Sequence, residues 1–313
     1  MEKRGSPHSR YRRIFGLLVA GVLLAGCSSP ATTTSTPAVT VTTLPSPTTA
    51  PPVPTTTSSE TVSPEEHPGD LIVVGDWGSG TVSQTEVAVA MSAYAADHDV
   101  AAILTTGDNF YSDDATSLSA PFDWAFADQV PFWVTWGNHD IESERRIAAI
   151  DLMFGNPPRW VTHRWGAVDV VILDSNQITS PSQARFFLSE MLASTRPAIV
   201  ALHHPPYSCS HHGSTTDVVN SMVQLLDDDV VMVVAGHDHN YQRFESSGVS
   251  YVVSGGGGRA LYDLQDCPAN HPPMIAGAAI HHFVVLHQEG KSMSLNAIDI
   301  DGDVFDSVSI PLP

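Results

Sequence analysis

Five short polar motifs each follow an apolar run. Gly75-Asp76-Trp77-Gly78 follows residues 71–74, and Gly107-Asp108-Asn109-Phe110-Tyr111 follows 101–106. Gly137-Asn138-His139-Asp140 follows 132–136, His203-His204 follows 198–202, and Gly236-His237-Asp238-His239 follows 230–235. One Gly-Asp after a strand is an ordinary turn, and a lone histidine is ordinarily structural. Five such motifs in one chain supply carboxylates, an amide oxygen and imidazoles together. Hard oxygen donors mixed with imidazoles suit iron, zinc or manganese better than a thiolate-seeking metal. The chain has no Cys-x-x-Cys.

The apolar runs must position these residues. Each is short, rich in β-branched residues and unalternating, as buried strands are. Residues 168–173 and 249–253 read the same way. Helix-like stretches lie between them at 82–96, 144–154, 182–193 and 215–226, one opened by the start signal Pro181-Ser182. Strand–helix alternation predicts an α/β fold. Ligands of open α/β folds bind beyond the carboxyl ends of strands, so the five loops are expected to converge.

The order of the motifs resembles the calcineurin-like metallophosphoesterases. Tyr111, three residues after Asp108, narrows the resemblance to the purple acid phosphatases of the small, tartrate-resistant type. Residues 235–241 and 251–256 agree with it, and the similarity runs from Asp70 to about Phe283. The resemblance implies a four-layer α/β/β/α sandwich with a dimetal site at the C-terminal ends of strands. A ferric ion would be held by Asp76, Asp108, Tyr111 and His239. A divalent ion (Fe, Zn or Mn) would be held by Asp108, Asn138, His203 and His237, with Asp108 bridging. The implied activity is that of an acid phosphatase-like hydrolase, in which a metal-bound hydroxide attacks a phosphate monoester. His139, beside Asn138, would contact the substrate phosphate and help protonate the leaving group. His212, nine residues after His203, matches a second histidine of this kind. His204 stands as an alternative ligand to His203, or as a donor behind it. A phosphodiesterase of the same superfamily is the nearest rival, and Tyr111 argues against it. A non-catalytic metal-binding surface lipoprotein is a second rival, opposed by the complete donor set.

Other features receive plainer readings. Trp77, Phe110 and Trp136 are expected to pack. Of His281 and His282, one is expected to face solvent and the other the interior. Gly255–Gly258 lacks the Lys-Ser/Thr of a P-loop and reads as a close-approach loop near the site. Asp113-Asp114 is placed at the site rim, and Asp227-Asp228-Asp229 at a solvated helix end. Only 30 residues separate Asp108 from Asn138, which implies a shortened overhanging loop and an open pocket. Cys209 and Cys267 both follow site-forming motifs, so a disulfide at the pocket rim is expected.

The full chain has 313 residues, 15 of them histidine. Residues 1–26 combine a basic start with an apolar run ending in Leu24-Ala25-Gly26-Cys27, as in a bacterial lipobox. This resemblance implies export and lipid attachment at Cys27, on the outer side of the cytoplasmic membrane. Of residues 28–68, 29 of 41 are Thr, Ser or Pro, too polar to offset the entropy of ordering. Residues 27–68 therefore read as a disordered linker, with a reach of about 35 to 125 Å, and 69–313 as one domain. The formal net charge is -20. Removing the leader's five basic residues and one acidic residue leaves 33 acidic against 9 basic, net -24. So acidic a chain repels nucleic acid. The implied metals offset their carboxylates locally, so small phosphate esters remain acceptable partners.

Overall fold

The computed structural model describes residues 68–114, 130–226 and 229–313. The leader, Cys27, the linker up to His67, most of the expected short overhanging loop, and Asp227-Asp228 lie outside the described residues. None of the helices in the described part is long and apolar enough to cross a membrane.

The strands are β1 (Asp70–Val74), β2 (Val100–Thr105), β3 (Phe132–Trp133), β4 (Val161–Trp165), β5 (Val168–Ile172), β6 (Ala198–Ala201) and β7 (Val230–Ala235), followed by β8 (Tyr241–Ser246), β9 (Val249–Ser254), β10 (Met274–Ala278), β11 (His282–Glu289), β12 (Ser292–Asp299) and β13 (Val304–Pro311). They form a six-stranded sheet of order β13-β12-β11-β1-β2-β3 and a seven-stranded sheet of order β10-β8-β9-β7-β6-β5-β4. The parallel parts are β1-β2-β3, at one end of the first sheet, and β5-β6-β7-β9, in the middle of the second.

The two-residue period of a strand sorts the core into layers. Leu71 and Val73 of β1 face the space between the sheets, where they join Val170, Ile199, Val234 and Leu286. Ile72 and Val74 face the other way and pack with Val87 and Met91 of α1 (Val82–Asp97). On the second sheet, Val171, Val200 and Val233 meet Phe187 and Met191 of α3 (Pro181–Ala193) and Val218 of α4 (Thr216–Ser221). α2 (Glu144–Phe154) buries Ala149 and Ile150 against Phe110 and Trp136. The result is the expected α/β/β/α sandwich.

α1 and α2 begin where short polar side chains relieve the unpaired amides of a first turn. Thr81 accepts from Gln84 N, and Ser143 accepts from Arg146 N. The expected helix over 215–226 is broken into the six-residue α4 and a 3-10 turn at Val223–Leu225. Val218, Val219, Asn220 and Ser221 are poor helix formers, and Thr215 makes no side-chain capping bond. The strand expected over 132–136 pairs only at Phe132 and Trp133, because the chain then turns toward Asp140. The sequence reading missed β4, β8 and β10–β13 as strands. β12 shows why: Met293, Leu295, Ala297 and Ile298 are buried while Ser292, Ser294 and Asn296 are partly exposed, so it carries no continuous apolar run.

Candidate metal centre

β1, β2 and β3 of one sheet and β6 and β7 of the other all point their carboxyl ends at one place. The loops beyond them bring Asp76, Asp108, Tyr111, Asn138, His203, His237 and His239 together. The Tyr111 hydroxyl donates to Asp76 Oδ1 at 2.8 Å and lies 3.1 Å from His239 Nε2, which is itself 3.5 Å from Asp76 Oδ1. Beside this trio, His203 Nε2 lies 3.0 Å from Asn138 Oδ1, 3.2 Å from His237 Nδ1 and 3.4 Å from Asp108 Oδ1. The donor atoms of Asp76, Asp108 and His203 lie within 4.8 Å of one another, which ties the two groups into one cluster.

The local backbone is shaped to make this possible. Asp76, Asp108 and His237 adopt left-handed φ values of 56°, 52° and 73°. Such conformations cost about 1–3 kcal/mol and persist where the surroundings over-determine them, typically at functional sites. Backbone amides support both carboxylates: His237 N donates to Asp76 Oδ2 at 2.8 Å, and His139 N to Asp108 Oδ1 at 2.9 Å. These approaches require glycine beside the carboxylates. A Cβ on Gly137 would stand 2.1 Å from Asp108 Oδ1, and one on Gly236 would stand 2.5 Å from Asp76 Oδ2.

The histidine rings are oriented from behind. His203 Nδ1 faces Thr106 O at 2.8 Å, and His239 Nδ1 faces Ala260 O at 2.8 Å. If each Nδ1 carries the proton and donates it to its carbonyl, each Nε2 is left with a free lone pair, the tautomer a metal ligand requires.

The polypeptide's own groups leave a mismatch that a cation would correct. Burial, and then the negative charges of Asp76 and Asp140, push the Asp108 carboxyl well above its ordinary range. Burial also raises the Tyr111 phenol, reinforced by Asp76 and Asp108. His203 is pushed far down, chiefly by burial, and His237 is lowered to about 2 by burial and the surrounding histidines. Burial opposes protonation of His239, but the hydrogen bond and charge of Asp76 outweigh it and raise the group. Buried carboxylates, a phenol and neutral imidazoles packed this closely fit a multivalent cation, which inverts the local charge balance.

His139 and His212 flank the cluster. His139 Nε2 is 4.0 Å from Asp108 Oδ2, and its ring lies 4.6 Å from that of Tyr111. The His212 ring stacks on His237 at 4.1 Å. His204 stands at the rim, its Nδ1 2.8 Å from Ser175 Oγ, and its ligand atoms also lie within reach of His203 and His237. His203 is the one wholly buried against Asp108 and Asn138.

Two carboxylates inside the quoted motifs have positions that the sequence reading left unassigned. Asp140 accepts from Gly137 N, Phe110 N and Asn109 Nδ2, lashing the second and third loops together. Burial raises its pKa to about 6 against those bonds. Asp238 accepts from Ser208 Oγ, His212 N and Gly213 N, and so holds the loop carrying His212. Their place beside donor residues was visible, but their buried partners come from distant loops.

The remaining readings can be placed. Trp77, Phe110 and Trp136 are buried, as is His282, while His281 is partly exposed. A Cβ on Gly257 would stand 2.4 Å from Gly75 O, so the glycine loop makes the expected close approach. Asp113 pairs with Arg146 at the rim. Cys209 and Cys267 form a disulfide joining the His212 loop to the segment after the glycine loop.

Residues 70–241 match the calcineurin-like phosphoesterase family. Purple acid phosphatase 3 of Arabidopsis thaliana is 29% identical over 231 residues, an alignment spanning 61% of this chain and 63% of that protein. Tartrate-resistant acid phosphatase type 5 of Rattus norvegicus is 26% identical over 302 residues, spanning 77% of this chain and 90% of its own. The purple acid phosphatase PPD1 from yellow lupin shares the fold, with a TM-score of 0.64 at 18% identity, covering 77% of this chain and 53% of that one. With over half its length matched and its strand-end loops converging on one donor cluster, this chain belongs to the calcineurin-like phosphoesterases and has purple acid phosphatases among its relatives.

Proposed function

We propose that the protein is a dimetal phosphatase of the purple acid phosphatase type that hydrolyses phosphate monoesters outside the cytoplasmic membrane, to which Cys27 anchors it by lipid. The observation that carries the reading is the placement of Tyr111 against Asp76 and His239, beside a second group of Asp108, Asn138, His203 and His237. The first group suits a ferric ion, because a phenolate is a hard donor. The second suits a divalent iron, zinc or manganese ion, with Asn138 adding an oxygen donor without charge. Two bound ions would supply positive charge at the transferring phosphoryl group and a more acidic water.

The chain's own residues then have defined tasks. Thr106 O and Ala260 O fix the His203 and His239 rings. His139 and His212 border the cluster from two sides, where an imidazolium can bind a phosphate oxygen or give a proton to the departing alkoxide. Asp238 holds the backbone of His212, so the second of these is set by a buried bond rather than by a free loop.

The test is hydrolysis of 4-nitrophenyl phosphate and bis(4-nitrophenyl) phosphate by the metal-loaded full chain. The monoester is expected to be preferred. A strong diester preference would sink the monoester reading, and no hydrolysis of either from acidic to alkaline pH would sink the enzyme. Labelling with radioactive palmitate in a bacterial host, lost in Cys27→Ser, tests the anchor.

A further inference from the structure

Arg259 borders the candidate centre without an acidic partner. Its guanidinium carbon lies 4.7 Å from the centroid of the Tyr111 ring. Its backbone is tied to the site, since Arg259 N donates to Asp76 O at 3.0 Å. The next residues are tied as well: Ala260 O faces His239 Nδ1, and Tyr262 N donates to His239 O at 3.0 Å. The Tyr262 ring stacks on His239 at 4.2 Å. Residues 259–262 therefore form a wall fixed to two members of one donor group.

That wall carries a cation beside the donor group of an acidic chain. Arg146, Arg159, Arg164, Arg196 and Arg243 each pair with a carboxylate. Arg259, like Arg145 and Arg185, forms no ion pair among the described residues, and it is exposed. Its guanidinium lies over the Tyr111 ring, and its N–H donors are not taken up by a carboxylate among the described residues. Arg146, another cation near the site, is already held by Asp113, Glu142 and His139 O.

The guanidinium lies over the Tyr111 ring on an exposed residue, whereas the phenolic oxygen is turned inward onto the buried Asp76 and His239. It is thus displaced outward from the atoms that would hold a transferring phosphoryl group. An arginine's coplanar donors match a phosphate or carboxylate through two parallel hydrogen bonds. Building on the phosphatase reading, we infer that Arg259 is a specificity-determining residue that takes a second anionic group of the substrate, favouring compounds with two adjacent anions, such as nucleoside diphosphates, over simple aryl monoesters. With ADP, water adds to the terminal phosphorus, the bond to the bridging oxygen breaks, and the leaving oxygen departs with a proton as AMP.

The test compares ADP with 4-nitrophenyl phosphate on metal-loaded full chain, as wild type, Arg259→Gln and Arg259→Lys. The ratio of kcat/KM for ADP to that for 4-nitrophenyl phosphate is expected to fall about tenfold in R259Q, through KM for ADP, with partial recovery in R259K. An unchanged ratio overturns the inference, whether both substrates lose equally or neither changes, and leaves Arg259 as packing on Tyr111. If the wild type turns over neither substrate, the phosphatase reading has failed. Calorimetry with methylenediphosphonate and methylphosphonate then reads Arg259 alone: a preference for the diphosphonate that R259Q loses supports the inference, and equal ratios overturn it.

Discussion

Tyr111 donates its phenolic hydrogen to Asp76 Oδ1 at 2.8 Å, joining positions 35 residues apart at the ends of two neighbouring parallel strands. That proton and a metal ion compete for the same oxygen. Burial and the adjoining carboxylates favour the proton within the polypeptide, and a bound cation reverses the preference.

Tyr111→Phe reads this relationship directly. The full chain loaded with ferric iron is expected to show a visible tyrosinate-to-iron absorption band, and Y111F to lose it. A wild type that is iron-free, colourless and active would refute the ferric assignment while leaving a dimetal esterase standing. A band of unchanged intensity in Y111F would place another donor on the iron.

Asn138→Ala and His203→Ala remove donors from the second group. Each is expected to lower metal content, measured by elemental analysis, together with turnover, by about 10- to 100-fold or more. Unchanged turnover with full metal content would show that these residues do not serve the reaction. His204→Ala separates the neighbours: because His204 is held at the rim by Ser175, its loss is expected to cost less than that of His203.

Asp238→Asn tests positioning. Asp238 is wholly buried and accepts from Ser208 Oγ, His212 N and Gly213 N. Replacing the carboxylate puts an NH2 donor where donors already converge, which costs about 1–3 kcal/mol. Amide exchange is expected to quicken at residues 208–214, with kcat falling about 10-fold or more. Lower kcat without faster exchange would mean that Asp238 acts other than by holding the loop.

The legible parts of the molecule were those that periodicity and strand-end chemistry encode. β1, β2, β6 and β7 are buried on both faces, so each is a continuous apolar run ended by its site residue. The antiparallel β12 and β13 carry alternating or polar sequences whose apolar residues acquire meaning only when paired. α4 looked like part of a longer helix because the apolar Val218, Met222, Leu225 and Leu226 recur at helical spacing, yet its own Val218 and Val219 are β-branched. The seven residues that the resemblance implied as donors do lie together at the strand ends. The roles of Asp140, Asp238 and Arg259 were not legible, because their partners are brought in from loops 30 residues away in sequence or, for Arg259 and Tyr111, much further.

The Cys209–Cys267 disulfide closes a loop of 58 residues. Constraining a loop of that size in the unfolded chain stabilises the fold by about 2–4 kcal/mol. The double variant Cys209→Ser/Cys267→Ser is expected to lose that amount in denaturant unfolding, and dithiothreitol to lower the wild-type midpoint but not the variant's. Two free thiols in the purified, unreduced protein by mass spectrometry would remove the disulfide.

Asp306 supplies a pH-dependent contribution far from the donor cluster. It accepts from Arg243 Nε at 2.7 Å, Arg243 Nη2 at 3.1 Å and the buried Tyr241 hydroxyl at 2.6 Å. Burial alone would raise its pKa, but the arginine and tyrosine outweigh burial and hold it below the ordinary carboxylate value. A depressed carboxylate contributes stability that is fully present above the unfolded pKa, about 3.9, and is lost as pH falls through the lower folded value. Asp306→Ala is therefore expected to cost about 2 kcal/mol at pH 7, since it strands Arg243 and the Tyr241 hydroxyl. The gap between the wild-type and variant unfolding curves is expected to narrow as pH drops below about 4. A gap that stays constant from pH 7 to pH 2 would show that packing around the side chain, rather than its charge, accounts for the stability it confers.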